Sequence, residues 1–189
     1  MKYLGLTLNC CTQCGHEVSL KIPEGDNRER YVCSNCGYIH YQNPNVVVGT
    51  VPYHENKILL CKRGIEPRKG LWTFPAGFLE MGETLQEGAL RETKEETNSD
   101  VEIDDMYAIF DIPQIGQLYT LYKAQIEPGT FSPTPESTEV ELFTKGEIPW
   151  DDLAFPFVPL TINLFFLILQ PLLRLELLLL LRLELLLLL

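Results

Sequence analysis

An α+β fold with a mixed or antiparallel sheet is what this 189-residue sequence predicts. Two observations carry the prediction. Strand-like apolar segments outnumber helical ones, and they are not regularly interleaved with helices. A third feature divides the chain by composition: residues 1–42 are polar and hold five of the six cysteines, residues 43–170 carry the strand and helix signals, and residues 171–189 are a leucine-rich low-complexity tail.

In the first segment, Cys11-Thr12-Gln13-Cys14 and Cys33-Ser34-Asn35-Cys36 form two C-x2-C pairs separated by 18 residues. That spacing suits a tetrahedral Zn²⁺ site, because two tight turns deliver two soft ligands each. Gly15 and Gly37 follow the second cysteine of each pair, where a positive backbone angle relaxes the knuckle. A redox pair or two disulfides are the alternatives. Cys10 is a spare beside Cys11, and Cys61 lies in an apolar run that reads as core. A segment this short buries little apolar surface, so bound zinc is expected to be structural and to supply folding energy.

In the middle segment, Val46 to Val51 reads as a buried β-branched strand. The turn-like His54-Glu55-Asn56 then leads to Lys57–Lys62, which suggests antiparallel pairing. Trp72–Phe74 is short and extended and is stopped by Pro75; Val101–Phe110 holds one strand or parts of two. Leu118–Ala124 is a stronger strand, and Glu139–Phe143 alternates as a half-exposed strand should. The clear helix is Leu85–Thr97. Thr84 and Glu87 make a capping box at its start, and Asn98 suits the left-handed residue that follows a helix.

Glu92, Glu95 and Glu96 fall on one side of that helix at spacings of three and four residues. Like charges there destabilise an isolated helix, and they sit in its C-terminal half, where the dipole disfavours anions. A solvated acidic face is the simpler reading of Glu-x-x-Glu-Glu taken alone. A hard divalent cation such as Mg²⁺ is the sharper one. The charge balance bears on both: 15 basic against 26 acidic residues leave −11, which argues against wide nucleic-acid binding and requires a metal or local Arg and Lys to receive a phosphate.

Context decides. Gly77, five residues, Glu83, seven residues, then Arg91-Glu92-Thr93-Lys94-Glu95-Glu96-Thr97-Asn98-Ser99 resembles the Nudix box, G-x5-E-x7-R-E-U-x-E-E-x-G-U, where U is aliphatic. Six polar or glycine positions agree in register. Thr93, Asn98 and Ser99 depart from the pattern; Thr93 and Ser99 are expected to loosen helix packing and to lower activity somewhat. The resemblance implies an α/β/α sandwich with a mixed sheet, preceded by a small zinc ribbon. It also implies hydrolysis of a diphosphate bond with Mg²⁺ or Mn²⁺ held by Glu92, Glu95, Glu96 and the backbone carbonyl of Ala76. Arg91 would orient the glutamates, and Glu83 would brace the loop and helix. The base would be Glu92 or a glutamate from a later loop, Glu139 being preferred to Glu136.

Cys11, Cys14, Cys33 and Cys36 directly before such a domain, with His40-Tyr41-Gln42-Asn43-Pro44 and Gly70 to Gly77, look like a zinc-ribbon Nudix subgroup. That subgroup includes ADP-ribose pyrophosphatases and FAD pyrophosphatases. The segment Asp111–Gln117 is most similar to the FAD-cleaving members, so FAD to FMN and AMP ranks first, ADP-ribose second and NADH third. Arg63, Trp72 and Phe74 are the expected substrate contacts; Tyr107, Phe110, Tyr119 and Tyr122 are further rings that could supply a stacking face, and each of the six rings is more simply read as core. A small dinucleotide or nucleoside diphosphate derivative is the expected partner, with no nucleic acid. A homodimer is common among such enzymes, although no residue here specifies one. A non-catalytic Nudix ligand-sensing module is the reading from another class.

The tail repeats Leu172 to Leu179 residue for residue from Leu180 to Leu187. Its two Arg and two Glu oppose a membrane span, and translated simple repeat is the plainest account. With no signal peptide at the start and thiols read as reduced, a cytoplasmic location is expected.

Overall fold

The computed structural model describes residues 7–169, which form two compact units. The predicted tail lies outside the described residues. One unit contains the chain up to Asn45 together with the turn Ile112–Gln117; the other contains Val46–Asp111 and the chain from Leu118 onward.

The first unit is an antiparallel meander of β1 (Val18–Lys21), β2 (Arg30–Cys33) and β3 (Ile39–His40), in that order. Its core is small: Cys11, Val18, Tyr31 and Cys33, with Leu8 and Cys14 packed on them. Both cysteine knuckles close as expected, with the Gly15 N–H donating to Cys11 O and the Gly37 N–H to Cys33 O. Both glycines have positive φ, 75° and 72°, so the requirement for glycine is met.

The second unit is built on a sheet in the order β10-β5-β4-β9-β8, with two short strands paired on it. β4 (Asn45–His54) turns through Glu55-Asn56 into antiparallel β5 (Lys57–Arg63). β6 (Trp72–Thr73) pairs with β5, and β7 (Ala76–Phe78) pairs with β4 beyond Pro75. α1 (Leu85–Thr97) follows, then β8 (Glu102–Ile112), a single long strand, β9 (Gln117–Gln125), β10 (Ser137–Phe143) and α2 (Phe157–Ile168). The sheet is mixed. β4 and β9 are neighbours in which Val47 O accepts from Thr120 Oγ1 and Tyr53 O from the Ile126 N–H. The sequence offset is equal at the two contacts, as parallel strands require.

Side chains alternate across the sheet, and each face meets one helix. Ala89 of α1 packs on Val48 and Tyr122, with Leu79, Leu85 and Ile103 beside them. On the other face Phe165 of α2 meets Tyr53 with ring centres 5.5 Å apart, and Phe157 meets Phe110 and Tyr119. This is the α/β/α sandwich. α2 was not anticipated from the sequence, because its exposed positions Leu160, Leu164 and Leu167 are as apolar as its buried ones. Among the described residues no helix is long and apolar enough to cross a membrane.

Candidate active site

The site begins with the ends of α1. Thr84 Oγ1 accepts from the Glu87 N–H, and the Glu87 carboxylate accepts from the Thr84 N–H, so the capping box is complete. Asn98 closes the helix at φ 58°, and its N–H donates to Lys94 O. Between these caps the helix is fixed in rotation by Ala89 on Val48, which turns Glu92 and Glu96 toward β7.

Arg91 ties the carboxylates together. Its Nη2 donates to Glu83 Oε1 at 2.7 Å, its Nε to Glu83 Oε2 at 3.0 Å, and its Nη1 to Glu92 at 2.7 Å and Glu95 at 3.1 Å. Nη2 also donates to Phe78 O, which binds the helix to the end of β7. The fork on Glu83 is bidentate, a geometry that guanidinium provides and ammonium does not. Glu83 in turn accepts from the Glu80 N–H at 2.6 Å. Arg91, with help from that N–H, holds the Glu83 carboxyl down to about 2. The pair raises Arg91 in return.

Two glycines make room for this cluster. A Cβ on Gly77 would run into the Glu92 carboxylate, and one on Gly88 would meet Glu83 Oε1 at 2.7 Å and Val48 at 2.9 Å. Gly77 is the motif glycine. Gly88 is a site-shaping residue that the sequence offered no signal for, since its neighbours come from other elements.

Burial pushes Glu96 up to about 8, and Glu92 and Glu136 push in the same direction; Arg63 and the Ala76 N–H oppose them. Burial also raises Glu92, against the pull of Arg91. Two carboxyls raised by burial stand beside a third, Glu95, and among the described residues Arg91 is the cation bonded to Glu92 and Glu95. This set of hard oxygen donors fits a divalent cation, whose charge would favour their ionised forms.

Thr93 and Ser99 depart from expectation. Thr93 is wholly buried and donates to Ala89 O at 2.7 Å, while the Thr50 hydroxyl of β4 lies 2.7 Å from it. Ser99 is buried too, with its hydroxyl 2.9 Å from Thr130 Oγ1. Packing is not loosened at either position, because a second hydroxyl satisfies each buried one.

The later-loop glutamates exchange places. Glu139 pairs with Lys62 across β10 and β5 and bonds its Nζ at 2.8 Å. Its neighbour Val140 pairs instead with Cys61, on the face where Glu96 acts on the Cys61 thiol. Alternation therefore turns Glu139 away from the glutamate helix, and the preference for it is corrected. Glu136 is the group whose charge reaches Glu92 and Glu96.

Phe74 is 1% exposed and Trp72 6%, so both are core rings, and the expectation that they contact substrate is corrected. Trp72 packs edge-on against Phe143. Tyr122 packs under α1, while Phe110 and Tyr119 meet α2. Tyr107 reaches Thr161 O of α2. Arg63 remains a candidate contact: its guanidinium stacks 5.4 Å from the Phe155 ring and its charge reaches Glu96. Ala76 lies where its N–H donates to the Glu96 carboxylate.

In the first unit, Cys11, Cys14, Cys33 and Cys36 bring their sulfurs within 4.8 Å of one another, and none is disulfide-bonded. Backbone N–H donation at His16 leads the effects that lower Cys14 to about 6, favouring the thiolate that binds metal. Cys10 stands outside the cluster and Cys61 is buried in the other unit, as expected of a core residue.

This constellation fits a hydrolase of the phosphoric-anhydride class with an accessory cysteine site, and comparison with known proteins shows the class. A family profile described as Nudix N-terminal matches residues 9–42, and the NUDIX domain profile matches residues 43–160. The chain belongs to the Nudix hydrolase family. A crystal structure of a NUDIX hydrolase from Nitrosomonas europaea is similar at TM-score 0.79 and 50% identity, covering 85% of this chain and 90% of that one. An ADP-ribose pyrophosphatase of Methanocaldococcus jannaschii is 32% identical over 122 residues, 62% of this chain and 71% of the relative. An NAD-capped RNA hydrolase NudC of Vibrio atlanticus is 37% identical over 97 residues, and the match spans 34% of that protein.

Proposed function

We propose that this protein is a divalent-metal-dependent pyrophosphohydrolase that cleaves ADP-ribose to AMP and ribose 5-phosphate. The observation that carries the reading is one helix on which Arg91 bonds Glu92 and Glu95, the Glu92 carboxylate packs against Gly77 and the Glu96 carboxylate accepts from the Ala76 N–H. The archaeal relative named for ADP-ribose supports that substrate over FAD. FAD, first on the sequence resemblance, is the main competitor.

Glu92, Glu95, Glu96 and the Ala76 carbonyl would hold Mg²⁺ or Mn²⁺. When bound, such an ion neutralises the diphosphate and lowers the pKa of coordinated water. The chain's own residues do the remainder. Arg91 keeps Glu92 and Glu95 aimed together, and Glu83 fixes Arg91. Arg63 supplies positive charge for a phosphate oxygen. Glu136 is the general base, positioned to accept the proton of the attacking water. Water adds to phosphorus, the P–O bond of the anhydride breaks, and the leaving phosphate departs as AMP or ribose 5-phosphate.

Cys11, Cys14, Cys33 and Cys36 bind a structural Zn²⁺, in a ribbon through residue 42 that precedes a catalytic domain over residues 43–170. The substrate is a small molecule, and the acidic balance disfavours long nucleic acid.

The test is product analysis with Mg²⁺ on ADP-ribose, FAD, NADH and NAD-capped RNA. The proposal expects AMP and ribose 5-phosphate from ADP-ribose at the highest kcat/KM. A higher value on FAD or capped RNA would replace the substrate, and no AMP from ADP-ribose, FAD or NADH together with no NMN from the capped RNA would end the catalytic reading in favour of a ligand-sensing module.

A further inference from the structure

Asn98 stands where the motif has its second glycine, and its side chain does something glycine cannot. Its Nδ2 donates to Ser132 Oγ at 3.0 Å and to Pro133 O at 3.1 Å. These bonds reach the loop that leads to Glu136. The adjoining contacts extend the hold: the Ser132 N–H donates to Thr97 O at 2.9 Å, and Thr134 Oγ1 donates to Glu96 O at 3.5 Å. Thr134 Oγ1 also accepts from the N–H groups of Glu136 and Ser137. From the other side, the Gly64 N–H donates to Glu136 O at 2.7 Å, and a Cβ on Gly64 would collide with Pro135 O. The loop is therefore clamped between the end of α1 and the end of β5.

From this geometry we infer that Asn98 is a positioning residue, which couples the C-terminus of the glutamate helix to the loop carrying Glu136. The inference rests on the reading of Glu136 as the base. Asn98 already adopts the left-handed conformation at φ 58°, so Asn98→Gly keeps the helix cap and removes both side-chain bonds. Misplacing a reacting group by a fraction of an ångström lowers the rate without weakening ground-state binding.

The experiment is a double-mutant cycle on ADP-ribose hydrolysis in the full-length protein, with Asn98→Gly, Glu136→Gln and the pair. Asn98→Gly is expected to lower kcat about tenfold, to leave KM within about twofold and to leave the melting temperature nearly unchanged. Asn98→Asp, which keeps the shape but has no N–H donor, should show the same kcat loss. In the Glu136→Gln background, Asn98→Gly should cost nothing further, because the residue acts through Glu136. An Asn98→Gly enzyme with wild-type kcat, or losses that multiply across the cycle, would overturn the inference while leaving Glu136 as base. Full activity in Glu136→Gln alone would overturn the base reading first, and this inference with it.

Discussion

Burial holds the Glu96 carboxyl well above the usual carboxylate range. Its folded pKa of about 8 lies above the ordinary 4.5, so the folded metal-free protein binds more protons than the unfolded chain between those values. Its contribution is fully present below about pH 4.5 and is lost as pH rises through about 8. The metal-free protein is therefore predicted to lose thermal stability across that window, and Glu96→Gln to flatten the loss; an equal slope in both proteins would refute the assignment. A second prediction concerns the buried hydroxyl pair. Thr93→Val leaves the Thr50 hydroxyl without its partner and should cost about 1–2 kcal/mol in urea melts, whereas Thr50→Val with Thr93→Val should return close to wild type. A double variant less stable than either single would contradict the pairing.

Gly77 lets β7 approach α1, and its substitution separates site from scaffold. In Gly77→Ala the new Cβ meets the movable end of Glu92, not backbone, so the fold should survive while Glu92 is displaced. Expected is a loss of about 100-fold in kcat/KM with the melting temperature little changed; wild-type activity would show that Glu92 needs no such approach. α1 was readable from the sequence because its caps and charges are local signals: Thr84, Glu87 and Asn98 all take the predicted roles. α2 was not, because apolar residues occupy its exposed face as well as its buried one, which blurs the helical period. That Glu139 faces Lys62 and not the glutamate helix was hidden for a related reason. Which face a strand glutamate occupies depends on register with β5, and a bulge between Ser137 and Glu139 shifts that register.

The two units differ in what stabilises them. The second has a sheet covered on both faces, while the first has a four-residue core and a cluster of four thiols. A zinc-selective chelator in excess Mg²⁺ should therefore unfold the first unit and leave the sheet signal of the second, and the same pattern is expected for Cys33→Ser. Retention of the ribbon without zinc would refute a structural metal. The cysteine spacing made this unit legible, whereas the grouping of Ile112–Gln117 with it was not, since no local pattern announces a contact so distant in sequence. Across the whole molecule, the activity proposed is cleavage of a pyrophosphate by the glutamate helix with the help of a divalent ion. Its most direct test is the initial rate of AMP formation from ADP-ribose as Mg²⁺ is titrated into metal-free wild-type and Glu96→Gln protein. Saturable activation from a zero baseline in wild type, with a loss of more than about 100-fold in folded Glu96→Gln, is the predicted result; hydrolysis that persists without divalent metal, or an undiminished Glu96→Gln, would contradict it.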